Sequence, residues 1–384
     1  MNYILNKTIA SEASTTSLGI FQRNGKTESK NSMYTKENII VKLYINPDFA
    51  PSLFIGSRDR WFGLKYESEV YDYLKRNDIF IKHNFFIKGE SMEKEKLNSI
   101  LFDKEIFKEF VKIFNEIKEN DKDDKLSSIQ YIISKQFNEI VEKNPNKTNE
   151  VISATVMEYI PGLISFHELL LSGVLDKKED DLRCILYQIV HSLVILKDIE
   201  LQHNDFHSNN ILIVSYNEPR DIICTFGTKS VILKTKYKVL IFDWDMAWSP
   251  HLGKNKKLDY LCNNYGICGK EVFNEHFDLY TILCTIKPYI KSEQLKNIIR
   301  KEFGITKENI SKTLYACRFQ QKLLDDFKNV YTPDKFINHP YFTKINSETF
   351  IDIPYFTQIN SEPENPPVFH VGEYNSKLKS CNIL

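Results

Sequence analysis

The chain of 384 residues carries 51 basic and 51 acidic side chains, so its formal net charge is zero and nothing global points to a nucleic-acid partner. Its length exceeds that of a usual single domain and predicts two packed lobes with insertions. The seven cysteines lack C-x-x-C spacing, which favours an intracellular protein with reduced thiols over a disulfide framework or a zinc site. No apolar run is long enough to span a membrane.

The amino-terminal part of the sequence predicts three strands. Residues 4–9 and 18–23 favour the first two strands, and the loop between them, residues 10–17, is rich in Ser and Thr and contains no Gly. Residues 39–44 favour a third strand in which Lys42 is the single charge within an apolar run. Taken alone, such a Lys suits the solvent face of an edge strand.

The next part of the chain alternates helical and strand patterns. Residues 64–74 have apolar side chains at helical spacing. Residues 91–148 are heavily charged with the same spacing, which predicts a helical insertion that is either a docking surface or a solvated decoration. Residues 155–162 favour a strand that Pro-Gly terminates, and residues 181–197 favour a buried helix with an apolar stripe.

Residues 201–248 combine polar side chains with two apolar runs. His203, Asp205 and Asn210 have the spacing H-x-D-x-x-x-x-N, and Asn210 leads directly into the first run. The second run ends at Asp243. This order predicts a loop and two short strands that bring three oxygen-bearing side chains together. Phosphoryl transfer needs a carboxylate to orient the attacking hydroxyl, and a carboxylate and an amide oxygen to hold Mg²⁺.

The rest of the sequence predicts a hairpin and several helices. Residues 216–236 favour an extended hairpin between the two apolar runs, and residues 251–274 contain few obvious regulatory features. A new apolar helix begins at Phe277. Further helices are predicted at residues 292–303, at residues 307–327 and after the cap Thr332-Pro333-Asp334. The segment P-Y-F-T-K-I-N-S-E at 340–348 recurs, with one change, at 354–362, which indicates a local duplication.

The order of H-x-D, Asn, strand, strand and Asp resembles the protein kinase superfamily, and most closely the serine/threonine kinase-like proteins of large nucleocytoplasmic DNA viruses. The resemblance implies an α+β, two-lobed fold. Residues 1–160 would form a small β-rich N-lobe with a helical insertion at about 91–148. Residues 161–340 would form a mainly α-helical C-lobe, and residues 341–384 a C-terminal extension and flexible tail. It also implies a location in the host cytoplasm or the virion.

The same resemblance assigns chemistry to the central stretch, with ATP and Mg²⁺ as cofactors. Asp205 would orient the attacking hydroxyl, while Asn210 and Asp243 would bind the metal. His207 stands where most serine/threonine kinases have Lys, and this variant is similar to haspin-type kinases and to aminoglycoside and choline phosphotransferases. Asp245 stands at the Gly position of D-F-G, where it either assists with metal or caps the turn.

Nucleotide-binding residues follow from the resemblance as well. Lys42 would bind phosphate, and the pattern Y-E-x-x-V-Y selects Glu67 as its partner, with Glu69 as the competing candidate. These two glutamates would point in different directions from one helix. The predicted contacts of adenine lie at the hinge and are the gatekeeper Met157, the carbonyl of Glu158 and the amide of Ile160.

Three departures from the kinase pattern leave the activity open. The phosphate loop lacks the usual glycines, Asn204 replaces the Arg of H-R-D, and no A-P-E triplet follows. We therefore expect activity that does not depend on a phosphorylated activation loop. A hydroxyl on protein Ser or Thr is the first substrate hypothesis; a small-molecule hydroxyl is the second, favoured by His207; a pseudokinase binding module is the third. Asp278 matches the buried Asp that ties down the kinase catalytic loop.

The last four residues, C-N-I-L, match the C-a-a-X form in which Cys381 is prenylated. The final Leu favours a geranylgeranyl group. One lipid beside only two lysines predicts reversible membrane association rather than permanent anchoring. The alternative interpretation is a free, flexible tail.

Overall fold

The computed structural model describes residues 2–9, 17–24, 38–45, 58–91, 152–227, 229–265, 271–305 and 331–343. Over these residues the chain is a mixed α and β protein with two small sheets. Several sequence predictions lie outside the described residues and stay predictions: the phosphate loop at 10–16, the insertion beyond residue 91, the helix at 307–327, the second repeat and the prenylation of Cys381.

The first sheet has five antiparallel strands in the order β1-β2-β3-β5-β4. The strands are β1 (Asn2–Ile9), β2 (Ser17–Asn24), β3 (Asn38–Ile45), β4 (Gly89–Ser91) and β5 (Ile152–Glu158). The β-branched residues of β3 suit a pleated, buried position, and Ile39 and Val41 are fully buried. The strands expected at the amino terminus and before the Pro-Gly pair are therefore confirmed. Lys42 lies in the centre of this sheet, opposite Thr155, rather than at an edge.

Helix α1 (Arg58–Arg76) packs beside this sheet and is followed by the short α2 (Ile79–Lys82). Its apolar face, which includes Val70, Tyr71 and Leu74, is buried. Ser68 lies on the same helix and shares a 2.6 Å hydrogen bond with Thr155 of β5. The helix predicted at 64–74 is confirmed and is longer at both ends.

The second half of the described chain is organised around α4 (Glu179–Asp198), which the capped helix α3 (Phe166–Leu171) precedes. Fifteen consecutive residues of α4, from Leu182 to Leu196, are buried. A helix that is buried on every side belongs in the interior of a domain. The predicted single apolar stripe therefore understated how completely α4 is enclosed.

The second sheet consists of β6 (Ile164–Ser165), β7 (Ile211–Phe226) and β8 (Lys229–Ile241). Strands β7 and β8 form the long hairpin that the sequence predicted, with an irregular register between Ser215 and Arg220. Strand β8 also joins the first half of the chain, because Ile241 bonds through its backbone to Phe85 and Ile87. This connection places the end of β8 next to the first sheet.

The carboxy-terminal helices are α5 (Lys256–Tyr265), α6 (Phe277–Ile286), α7 (Glu293–Lys301) and α8 (Pro333–Ile337). Helices α6 and α7 match the sequence prediction, and Thr332 caps α8 as expected by accepting a hydrogen bond from the Lys335 amide. No helix was predicted within residues 251–274, where the structure has α5.

The described cysteines divide into two kinds. Cys184, Cys224 and Cys284 are free and buried. Cys262 is disulfide-bonded, so the expectation of reduced thiols throughout is wrong for this residue.

Across the described part of the chain, none of the helices combines the length and apolar character needed to cross a membrane.

A buried histidine, His191, and its half-buried neighbour His83 make the fold sensitive to acid. His191 of α4 bonds through Nε2 to the Thr225 carbonyl oxygen at 3.0 Å, and its ring packs edge-on against Phe85 and Phe226. Burial lowers the pKa of His191 to about 4, and burial likewise lowers the pKa of the neighbouring His83 to about 4. Because an unfolded histidine has a pKa near 6.5, the unfolded chain binds more protons between these values.

We therefore expect the free energy of unfolding to fall as pH drops from 6.5 toward 4. The loss would reach roughly 3 kcal/mol for His191 alone. His191→Gln keeps a donor for the Thr225 carbonyl without a titrating ring and should reduce this acid loss, leaving the share of His83. Urea unfolding at pH 7 and at pH 4.5 measures it, with the exposed His251→Gln as the matched control. An unchanged pH dependence in His191→Gln would disprove the assignment.

Candidate active site

Three charged side chains from distant parts of the sequence meet beside the first sheet. The Lys42 ammonium lies 2.9 and 3.1 Å from the two carboxylate oxygens of Glu67 and 3.2 Å from Oδ1 of Asp243. Lys42 is 6% exposed and Glu67 is fully buried, whereas the Asp243 side chain is 30% exposed. The structure thus places Glu67, and not Glu69, beside Lys42. Glu69 faces Gly253 instead.

The opposite charges of this cluster stabilise one another. Burial works to lower the pKa of Lys42, but the carboxylates of Glu67 and then Asp243 outweigh it and raise the pKa above its ordinary value. Burial works to raise the pKa of Asp243, but the ammonium groups of Lys42 and then Lys257 lower it. A charged Lys42 and an ionised Asp243 are the states that phosphate and metal binding require.

The carboxylate of Asp278 holds the loop at 203–207 in place through two hydrogen bonds. Asp278, the second residue of α6, accepts hydrogen bonds from the amides of His203 at 2.8 Å and Asn204 at 3.0 Å. Asn204 has a φ of 65°, a left-handed conformation that Asn adopts more readily than most residues. His203 contacts the carbonyl oxygen of Phe242 through Nε2 at 2.9 Å. The predicted place of Asp278 under this loop is therefore observed.

Asp205 lies between two neighbours that the sequence motif supplies. Asn210 donates from Nδ2 to the Asp205 carbonyl oxygen at 2.9 Å and approaches its Oδ2 at 3.4 Å. His207 Nε2 also lies 3.4 Å from Asp205 Oδ2. The His207 ring accepts the amide of Asn209 at Nδ1, which leaves Nε2 as the protonated nitrogen facing the carboxylate. The Asp205 side chain remains 34% exposed and so is accessible to a substrate.

Strands β7 and β8 bring the two expected metal ligands together. The Phe242 amide, one residue before Asp243, lies 3.4 Å from the Asn210 carbonyl oxygen. Asp243 has a φ of 70°, which turns the chain sharply at the end of β8. Because Asn210 uses Nδ2 toward Asp205, its Oδ1 is the amide atom left for a metal. A carboxylate and an amide oxygen suit Mg²⁺, which takes its remaining ligands from water and phosphate.

Within the described part of the chain, no group of three or more His, Cys, Asp and Glu side chains is arranged around a possible metal position. Mg²⁺ is commonly held by one or two carboxylates together with water and phosphate. Asn210 and Asp243 are the residues that would hold such an ion here. The ion would neutralise charge on the phosphates when bound.

The predicted hinge forms the last part of β5. Met157 is buried, and its sulfur accepts a hydrogen bond from the Tyr71 hydroxyl at 3.2 Å. Glu158 makes two hydrogen bonds with Lys88. Its carboxylate accepts one from the Lys88 amide, and its own amide donates one to the Lys88 carbonyl oxygen. The strand ends before Pro161, as expected, while Ile160 is half-buried. The contacts of these residues with adenine stay predictions.

Sequence reasoning missed Lys257 and Asn255, both at the start of α5. Lys257 Nζ lies 2.5 Å from Oδ2 of Asp245. Asn255 is fully buried and donates from Nδ2 to the carbonyl oxygens of Asp245 and Ala247. The structure places Lys257 beside Asp245, and the two predicted roles of Asp245, assisting with metal or capping the turn, stay predictions. No motif marks this pairing in the sequence.

Comparison with known proteins does not identify a family for this chain. No family model matches the sequence, and no curated protein matches it. One matching solved structure is described as "Crystal structure of Rad53 kinase domain and SCD2"; it is 14% identical, the match covers 89% of this chain and 88% of that chain, and the TM-score is 0.38. A TM-score of this size carries no argument about function. Closeness to viral kinase-like proteins stays a prediction from the sequence.

Proposed function

We propose that this chain is an ATP- and Mg²⁺-dependent phosphotransferase with a two-lobed, kinase-like fold that acts on a hydroxyl group. The observation that carries the proposal is the convergence of Lys42, Glu67 and Asp243, which are separated by 25 and 201 positions in the sequence. Asp205 and Asn210 lie at the adjoining loop.

Each group has a physical role in this proposal. Lys42, held by Glu67, would bind the phosphates of ATP, because a fixed ammonium stabilises the negative charge of the transferring group. Asp205 would orient the attacking hydroxyl and accept its proton. His207, whose Nε2–H faces Asp205, would keep that carboxylate in place. Asn210 and Asp243 would hold the metal.

A protein Ser or Thr hydroxyl is the proposed acceptor, and a small-molecule hydroxyl is the alternative. The alternative draws its support from His207 beside Asp205, the feature shared with the aminoglycoside and choline phosphotransferases. A pseudokinase is disfavoured because Lys42 and Asp243 are in contact, an arrangement that a binding module does not require. A host cytoplasm or virion location remains part of the proposal and rests on the sequence resemblance alone.

Transfer of radiolabelled γ-phosphate tests the function. Purified protein would be given Mg²⁺ and ATP with casein and basic proteins in one series, and with aminoglycosides and choline in another. Label in protein supports the first acceptor class, and label in a small molecule supports the second. Absence of transfer to every acceptor, together with absence of ATP binding, would refute the proposal.

Lys42→Met is the variant that ties such activity to this site. We expect the rate of transfer to fall roughly 10²–10³-fold, because one preorganised charge beside the transferring group is removed. The substitution removes the cation beside the buried Glu67 carboxylate, so Lys42→Met/Glu67→Gln is made in parallel to restore stability. Lys75→Met is the matched control, since Lys75 is half-exposed and pairs with Glu90 away from the site. Equal activity in Lys42→Met and Lys75→Met would exclude Lys42.

A further inference from the structure

Helix α1 has contacts on two sides, and both sides bear on the candidate site. On one side Glu67 contacts Lys42, and Ser68 contacts Thr155 of β5. On the other side α1 packs against α5 and against the chain that follows Asp243. The position of Glu67 therefore depends on how α1 is held from its second side.

Three contacts form this second side. An added Cβ at Gly63 would meet the Lys257 side chain at 2.5 Å and the Asp245 carbonyl oxygen at 2.9 Å, so α1 approaches both residues too closely for any side chain. Three residues further along α1, the Tyr66 hydroxyl accepts the amide of Ser249 at 3.3 Å. The side chain of Lys257 and the backbone of the segment that follows Asp243 are thus packed directly on α1.

The start of α5 is itself attached to that segment. Asn255 accepts the Lys257 amide at 3.0 Å, as a helix cap does, and its Nδ2 donates to the Asp245 and Ala247 carbonyl oxygens at 3.1 and 2.8 Å. Lys257 completes the attachment through its 2.5 Å contact with the Asp245 carboxylate, and its side chain is 11% exposed. Direct contacts therefore join the segment after Asp243, α5 and α1 into one packed unit.

We propose that Lys257 is a positioning residue for phosphoryl transfer. It acts through Asp245 to keep Asp243 at the end of β8 and, through its packing at Gly63, to keep α1 where Glu67 reaches Lys42. This proposal rests on the proposed function.

Substitution of Lys257 tests the proposal by kinetics. In Lys257→Met we expect kcat to fall roughly 10- to 100-fold, the scale of loss when reacting groups shift by about 1 Å, with KM for the acceptor unchanged. Lys254→Met is the matched control, because Lys254 is exposed and pairs with Asp259 on the surface. Gly63→Ala should give the same loss of kcat with Lys257 intact, since it displaces the Asp245 backbone.

A folding defect is separated from a positioning defect by a second variant. Lys257→Met leaves the Asp245 carboxylate without its cation, and Lys257→Met/Asp245→Asn removes that charge at constant volume. The double variant should regain the thermal midpoint of the wild type but not its kcat. Recovery of both would show that Lys257 only stabilises the fold. A loss of Mg²⁺ affinity in Asp245→Asn that Lys257→Met does not share would make Asp245 a metal ligand and overturn the proposal.

Hydrogen exchange gives a readout that does not need activity. The backbone amides of α1 around Glu67 should exchange about tenfold faster in Lys257→Met than in the wild type or in Lys254→Met. This result would uphold the coupling of α1 to Lys257 even if the wild type transferred no phosphate, in which case only the proposed function would fail. Unchanged exchange together with unchanged kcat would end the idea.

Discussion

Asp205→Asn is expected to lower the rate of phosphoryl transfer by roughly 10²–10⁴-fold while leaving the fold intact. The carboxylate is the group placed to orient and deprotonate the attacking hydroxyl, and an amide of the same size is not a base. An amide of the same size fills the space of this partly exposed carboxylate, whose Oδ2 lies 3.4 Å from Asn210 Nδ2 and 3.4 Å from His207 Nε2. Binding of Mg²⁺ and ATP should remain close to that of the wild type.

The measurement compares initial rates of γ-phosphate transfer with calorimetric binding of ATP in the same preparations. Asp221→Asn is the matched control, because Asp221 is an exposed carboxylate on β7 outside the site. A full rate in Asp205→Asn would remove Asp205 from the role of base. A loss of ATP affinity equal to the loss of rate would point to metal binding instead.

The parts of the site that sequence predicted are those set by local pattern. An apolar run of β-branched residues around Lys42 forms β3, and the motif from His203 to Asn210 forms the loop and the start of β7, because each depends on neighbours in the chain. The choice of Glu67 over Glu69 follows from the family pattern and agrees with helical periodicity, since Glu67 lies three and four residues before Val70 and Tyr71 on the buried face of α1. Packing against the sheet separates them physically: Glu67 is fully buried, and Glu69 is not.

The parts that sequence missed depend on tertiary contacts without a repeating pattern. Lys257 pairs with Asp245 across a loop, and Asn255 bonds to backbone carbonyls, so neither contact leaves a periodic signal. Helix α5 was missed because its first turn, K-K-L-D, is mostly polar. Two of these features, α5 and the Lys257 pair, adjoin the candidate site, so its second side could not be derived from the motif.

Removal of the Asp243 carboxylate should affect ATP binding differently in the presence and in the absence of Mg²⁺. Asp243 is expected to bind Mg²⁺, and it also lies 3.2 Å from the ammonium of Lys42, which would bind phosphate. Without metal, the Asp243 carboxylate repels the phosphates of ATP. With metal, it attracts the bound Mg²⁺. The two contributions have opposite signs, so one substitution should change the two affinities in opposite directions.

Asp243→Asn and Asp243→Ala are both made, because Asn tolerates the positive φ of 70° at this position and Ala does not. In Asp243→Asn we expect ATP to bind at least tenfold more weakly in the presence of Mg²⁺, and equally well or more tightly in the presence of EDTA. Asp243→Ala should show the same loss with Mg²⁺ and a further loss of thermal stability. Calorimetric titrations with and without Mg²⁺ measure both affinities. An equal weakening under the two conditions would mean that Asp243 supports the shape of the site through Lys42 and does not bind the metal.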